Sequence, residues 1–444
     1  MNIHIEEAVE GFRRNAGRHV RSERYYEGNH DLAFATDKFR NAFGSLFREF
    51  ALNLCPAVCE AVRDKLRVVG FSLDDAGRAP RGDAVKEQVR RIWTANRMRI
   101  RAGEVHKETL VCGDAYMIVW PDAVGNAVMY PNRAASCMVT YDDEVPGKIV
   151  RAAKYWRGAD KRIRLNLFYP DRIEKYISKR DSSRFDVQSS KSMEADLTTL
   201  NLELEALNSD PVVPNPYGVV PVFHFANNAG IGAFGRSELE AAMPIQDGLN
   251  KSMLDMLVAM EYSAFRQRWA AGIEIEVDND GKVVPPFSAG VDHLWISQNA
   301  DASFGDFATA NLEQFLKIKD SFRGDIASVT GTPQHYFMQN QMRNTASGEA
   351  LRKAETRFLA KVRDRQEVFG QIWADAMQFA LAIEGKGDGV QLITDWEDPA
   401  PMSDKEFLEN ILLKKQIGLP VEQALIEAGY GEADVKSMVK SLVE

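Results

Sequence analysis

The sequence predicts an α+β chain that is predominantly helical. Two observations carry this. Apolar residues recur at three- and four-residue steps through three long stretches, at about 237–266, 306–330 and 347–384. Between about 111 and 170 the pattern changes to short runs of strand formers separated by PN, DD, PG and GAD turns. A hydrophobic content of 45% and a charged content of 27% suit an ordinary globular protein, and 444 residues allow one to three domains with ample core.

Taken in order, residues 5–24 read as an amphipathic helix, followed by an EGNH turn. Helical character resumes from Phe43 to Val68, where Gly70 is expected to close it. A further helix, Ala84 to about Leu110, leads into VCGDAYMIVW at 111–120 and then strand runs at 127–130, 137–141, 149–157 and 163–169. These make the first 170 residues an α-then-β unit with a mainly antiparallel sheet. Residues 178–210 hold few large apolar side chains and many Ser, Asp and Glu, the pattern of a mobile insertion. PNPYGVVPVFHFANN returns as a strand edged by prolines.

The first long helix is expected to start at Ser237, where Ser-Glu-Leu-Glu matches a capping box closed by Glu240. Its stripe runs through Leu239, Ala242, Ile245, Leu249, Met253, Met256 and Met260, and Pro244 should kink it or mark an early restart. A small module at 267–305 shows IEIEV alternation, an Asp280-Gly281 turn and an HLWIS strand. The second helix carries Leu312, Phe315, Phe322, Ile326 and Val329. The third runs from Ser347 to about Glu384 and would exceed about 50 Å at 1.5 Å per residue. GVQLITDW reads as a strand, and short helices end the chain, with a capping box from Ser403 to Glu406, a stop at Gly418 and a start at Pro420.

Catalytic patterns are weak. GIGAFG, Gly230 to Gly235, follows a strand, opens a helix and has Asp255 twenty residues on, which are surface features of a dinucleotide fingerprint. A parallel strand-helix-strand unit would have to close within about 30 residues, and here the helix alone takes that length. The glycines read instead as a flexible hinge. The seven histidines form neither HExxH nor a zinc spacing, and GxSxG and a phosphate loop are both missing. The expectation is a non-enzymatic protein with no cofactor and no metal.

Cys55, Cys59, Cys112 and Cys137 are expected to be reduced, buried thiols in a cytosolic setting. No run of about 18 uncharged apolar residues predicts a membrane span, and the N-terminus lacks the apolar centre of a signal peptide. A formal net charge of -9 argues against gripping nucleic acid through a basic surface. Local basic clusters, Arg13, Arg14, Arg18, Arg21 and Arg24, then Arg97, Arg99 and Arg101, read as solvated helix faces.

The order of parts resembles the siphophage-type portal proteins of tailed double-stranded DNA bacteriophages. The resemblance rests on YYEGNH followed by Asn53 and Val69-Gly70-Phe71, on NPYGVVPVFHFANN, on GRSELEAAMPIQDGLNKSMLDML, and on GTP-x-H-x-F leading into SGEALRKAE. It implies an elongated subunit with an α/β wing over 1–236, a first stem helix at 237–266, a clip at 267–305 and a second stem helix at 306–330. A tunnel loop at 331–346, a long helix and strand returning to the wing at 347–400, and crown helices at 401–444 complete the map. Family members form dodecameric rings at one capsid vertex, in the virion, assembled in the host bacterial cytoplasm. Through the ring double-stranded DNA is packaged and ejected. Implied partners are the terminase large subunit, head-completion or adaptor proteins, and the major capsid and scaffold proteins, with no membrane.

On this map Gln334, His335, Gln339, Asn340, Gln341, Arg343 and Asn344 would face DNA. Lys317, Lys319 and Arg323 would either line the channel or form salt bridges between subunits or toward the clip. Amide side chains and an acidic ring suit sliding, because affinity for duplex rises with each phosphate neutralised. Two alternatives compete: another phage head protein such as a scaffold or minor capsid protein, and a nucleotide-binding enzyme resting on Gly230–Gly235. Scaffolds lack a sheet-bearing wing, and measurable NAD or ATP affinity would favour the enzyme.

Overall fold

The computed structural model describes residues 3–31, 33–34, 36–37, 41, 44, 51–73, 82–178, 204–206, 211–264, 268–272, 301–306, 312–337, 348–386, 390–400, 404–427 and 435. Helix α1 (Ile3–Tyr26) buries Ile5, Ala8, Val9 and Phe12 along one stripe. That stripe lies on the larger sheet, against Ala153, Tyr155, Ile163, Leu165 and Leu167. Strands β4 (Cys137–Tyr141), β5 (Ile149–Arg157), β6 (Ile163–Phe168), β7 (Arg172–Ser178) and β8 (Leu204–Ala206) follow one another across this sheet, and β9 (Val212–Pro214) also pairs with β7. Alternation does the sorting: odd-numbered residues of β6 meet α1, while Phe168 turns to the opposite face. There a smaller sheet, β10 (Val222–Ala226), β2 (Asp114–Pro121) and β3 (Ala127–Arg133), packs through Tyr116, Ile118 and Val222. Every strand pair described is antiparallel, in line with the sequence reading.

The largest core forms around α7 (Gly348–Ile383), the long helix expected from Ser347. Its Phe369, Trp373 and Met377 pack among Phe225 and Met117 of the small sheet, Leu110 of α4 (Met98–Cys112) and Trp93 of α3 (Gly82–Ala95). His106 stacks on Phe369 and accepts the Trp373 indole N–H at Nε2, while Nδ1 donates to the Leu66 carbonyl. Burial lowers its pKa to about 4, so the ring is neutral.

Several expectations change here. The stretch expected to be one helix from Phe43 contains α2 (Cys55–Arg63), and then Val68–Leu73 is strand β1. Gly70 therefore sits in a strand. It stands beside a bulge where β1 pairs with β13 (Leu392–Trp396) more than 300 residues on. The helix expected over 84–110 is broken into α3 and α4 at Asn96 and Arg97, Arg97 taking φ +54°. Asn96 holds the break, donating to the carbonyls of Ile92 and Ala127 and accepting from Met129 N–H.

The helix expected from Ser237 begins at Met243, as α5 (Met243–Ala264). Ser237 donates to the Val111 carbonyl instead of opening the helix, and Pro244 falls in the first turn, where its missing N–H costs nothing. Of the module at 267–305 the described residues show β11 (Arg268–Ala271) paired with β12 (Ser303–Asp306); the Asp280-Gly281 turn and the HLWIS run lie outside them. Helix α6 (Glu313–Thr330) follows, and α8 (Asp404–Gln416) and α9 (Val421–Glu427) come after β13, with Gly418 at φ +94° between them. Ser403 and most of 178–210 lie outside the described residues, apart from β8 on the edge of β7. The four cysteines are free and buried.

Candidate functional site

Helices α5 and α6 form an antiparallel hairpin, with the β11–β12 ribbon at its far end. Gly248 makes the contact close: a Cβ there would come within 3.1 Å of the Phe322 ring. At the base Leu249, Leu254, Ile326 and Ala327 are buried. Toward the ribbon the cover thins, and Met260, Leu316 and Ile318 are 47%, 49% and 41% exposed.

The three cations assigned to α6 do not share a face. At about 100° per residue Lys317 and Lys319 point roughly 160° apart, whereas Lys319 and Arg323, four residues apart, lie nearly in line. Arg323 lies 3.6 Å from Asp320 of its own helix, and its buried Nε has no hydrogen-bond partner.

Gly331, at φ +66°, ends α6 as expected. The chain then makes a single 3-10 turn, Gln334–Tyr336, anchored on α7. His335 Nε2 lies 3.1 Å from Glu355, Tyr336 packs on Phe358 with ring centroids 5.8 Å apart, and Lys361 donates to the Thr330 carbonyl. Gln334 is exposed and Phe337 buried. His335 thus belongs to the root of the expected loop. Gln339, Asn340, Gln341, Arg343 and Asn344 lie outside the described residues.

The residues that fix the hairpin to the body were not singled out from the sequence. Glu238 comes just before α5, its side chain 8% exposed, and meets Lys361 at 2.6 Å and Arg365 at 3.0 Å, both on α7. Burial pushes its carboxyl up, and the two cations outweigh that and hold it below the usual range. Beside it, Asp114 at the start of β2 meets Arg18 at 2.6 Å, His224 at 2.8 Å, His19 at 3.5 Å and the Gly235 N–H at 2.7 Å. Arg18, expected on a solvated face, reaches inward to this carboxylate and also donates to the Gly235 carbonyl. The one hint in the sequence was an acid among strand formers, Gly113-Asp114-Ala115.

Asp114 gives a pH prediction. Burial raises its pKa, but hydrogen bonds from His19 and His224 and the Arg18 charge lower it further, to well below an unfolded aspartate. A depressed carboxylate adds stability above its unfolded pKa of about 3.9, and that stability drains as pH falls toward the folded value. The urea midpoint is expected to fall between about pH 5 and pH 2, with a flatter dependence in Asp114→Asn. Equal slopes would refute this.

Gly230–Gly235 resolves differently from a hinge. Gly230 and Gly232 lie on an exposed turn, but Gly235 is buried and tied at both its N–H and its carbonyl. The strand before it, β10, runs antiparallel to β2, so the parallel unit a dinucleotide site requires does not form, and the Gly235 N–H is already taken by Asp114.

Glu23, Glu108 and Cys112 bring one oxygen or sulfur each within 4.8 Å of one another. Burial raises all three pKa values, for Glu23 with help from the Glu108 charge. Burial disfavours the ionised forms that a cation requires, and Arg133, 3.9 Å from Glu23, already places a positive charge beside the group.

A family model described as "Phage portal protein, SPP1 Gp6-like" matches residues 71–442. The chain belongs to the phage portal protein family. It is similar to the portal protein of Mycobacterium phage L5, 25% identical over 399 residues that cover 85% of this chain and 76% of that protein. The portal protein of Mycobacterium phage D29 is also 25% identical, over 403 residues with the same coverage. Among solved structures, a chain from the neck of an empty GTA particle matches 89% of this chain and 93% of its own, at 13% identity and a TM-score of 0.49. Portal proteins are structural parts of the virion, and this chain's function is that of a phage portal protein. The family match begins in β1, so α1 and α2, which complete two of the cores, precede it.

Proposed function

We propose that copies of this chain close into a dodecameric ring at one capsid vertex, with the α5–α6 hairpin as the stem around a channel that double-stranded DNA traverses during packaging and ejection. One observation carries the reading. Phe322 faces α5, while Leu316, about 120° round the same helix, and Ile318, one turn nearer the ribbon, are left in solvent. A helix with apolar residues on two sides packs on two sides, and among the described residues α5 covers only one of them. Neighbouring copies cover the other.

In this arrangement residues 1–236 are the wing, 267–305 the clip that docks the terminase large subunit and later the adaptor, and 401–444 the crown. Major capsid and scaffold proteins contact the outside during assembly in the host cytoplasm. Residues 331–346 are the tunnel loop. Gln334, Gln339, Asn340, Gln341, Arg343 and Asn344 touch passing DNA, and His335 braces the loop root on Glu355. Either Lys319 with Arg323 or Lys317 faces the channel, and the other side meets a neighbouring copy.

Negative-stain microscopy of the purified chain is expected to show rings with a central hole. The double change Leu316→Asp with Ile318→Glu should leave monomers of unchanged far-UV circular dichroism. A wild type that stays monomeric at every concentration, or a variant that still forms rings, would sink the assignment. Trimming the loop between Tyr336 and Asn344 tests the smaller claim: normal packaging and retention of full-length DNA would remove the loop's DNA role and leave the ring standing.

A further inference from the structure

The two sheets of the body pack face to face over Val139, Ala152 and Val222, and nearby they enclose an open groove of about 220 Å³. Its floor is apolar, made by Ile118 of the small sheet and Phe168 and Ile173 of the large one. Trp120, Tyr130 and Trp156 wall it, and Tyr130 is 43% exposed. On three neighbouring strands Lys154, Asn166 and Lys175 lie in register, in one row across the groove. Strands are spaced by about 4.8 Å, so the two lysine Cα atoms stand roughly 10 Å apart, about the length of three residues of extended chain.

The charge is one-sided. Among the described residues no carboxylate lines the groove, in a chain whose formal net charge is -9. Neither lysine side chain has an acidic partner among the described residues. The Lys154 ammonium lies 5.3 Å from the Trp156 ring centroid, and burial lowers its pKa. A half-buried ammonium set over a ring face gains from a carboxylate in that position.

We propose that this groove is a docking site for an extended acidic segment of another protein, which seats one large apolar side chain on the Ile118–Phe168–Ile173 floor and flanking carboxylates on Lys154 and Lys175. A nucleic-acid strand fits less well. Two lysines neutralise two phosphates, and the acidic chain around them opposes a polyanion. The inference rests on the groove alone and does not depend on the ring.

The test uses the purified full-length protein on an array of synthetic octapeptides in which acidic and apolar content vary independently. Binding is expected only where one Leu, Phe or Trp is flanked by Asp or Glu, and affinity should fall as salt rises. The best peptide, titrated by fluorescence anisotropy, should lose at least tenfold in affinity with Lys154→Glu and likewise with Lys175→Glu, while Lys154→Arg keeps it. Unchanged melting temperatures would exclude unfolding, and Lys175→Gln serves if a charge reversal perturbs the sheet. No selected peptide, selection indifferent to charge, or equal binding of an oligodeoxythymidine would each overturn the proposal. So would a groove that binds peptide in the monomer and is closed in the assembled ring, because the occupant would then be a second copy of this chain.

Discussion

Replacing Glu238 with alanine is expected to cost about 3 kcal/mol of unfolding free energy, the lower part of the range for breaking a buried ion pair. The loss is large because of what stays behind. Lys361 and Arg365, with side chains 16% and 8% exposed, would share a dry site without their common carboxylate. Asn227, which donates to Glu238 at 3.1 Å, would lose an acceptor as well. The loss is held below the maximum because Lys361 keeps the Thr330 carbonyl and Arg365 keeps Asp364. Urea denaturation of Glu238→Ala and Glu238→Gln would measure this, with glutamine retaining the smaller, hydrogen-bonding share. Because a buried triad can be exchanged for apolar residues of similar volume, Glu238→Leu with Lys361→Met and Arg365→Met should recover most of the loss. A single substitution costing under about 1 kcal/mol, the scale of an exposed pair, would show that the triad is not a tie.

Gly235→Ala is expected to be worse, above about 4 kcal/mol, and to leave little soluble protein. A Cβ at this position would stand 1.9 Å from the Gly113 carbonyl oxygen and 2.5 Å from the Asn227 N–H nitrogen. Both are backbone atoms, so no rotamer relieves the overlap. Neither can the backbone retreat: Gly113 sits at φ +93°, where it already needs to be glycine, and its carbonyl accepts the Asn227 N–H. Two neighbours act as controls. Gly230→Ala meets only the Ala233 Cβ at 3.8 Å and should be silent, whereas Gly232→Ala, in open space at φ +65°, should cost about 1 kcal/mol. Thermal unfolding of the three variants gives the order, and equal effects would remove the close-crossing explanation.

These two positions also mark how far the sequence could be read. Gly230 to Gly235 stood out as a motif, yet its glycines look alike on paper. Only the approach of Gly113, more than 100 residues earlier, separates the one that cannot change from the ones that can. Ser237-Glu-Leu-Glu240 looked like a capping box, in which Glu240 would do the work. In the fold Ser237 turns to the Val111 carbonyl, and Glu238 is the carboxylate that matters. The competition was between a local cap worth about 1 kcal/mol and tertiary partners worth more, and the tertiary partners won.

By itself the sequence determined the long helix from about Ser347 and the strand runs after 111, because a period of 3.6 or 2 is written into neighbouring residues and survives any arrangement around them. It also carried the family resemblance, in the order of its segments. Only the tertiary structure decided that Gly70 lies in a strand paired with Asp395 and that Arg18 turns inward to Asp114. Both depend on partners more than 90 residues away, whose pairing offsets burial and desolvation costs that a local window cannot weigh. That Lys317 and Lys319 face opposite ways is by contrast already in the sequence, because a helix converts a spacing of two residues into opposite sides.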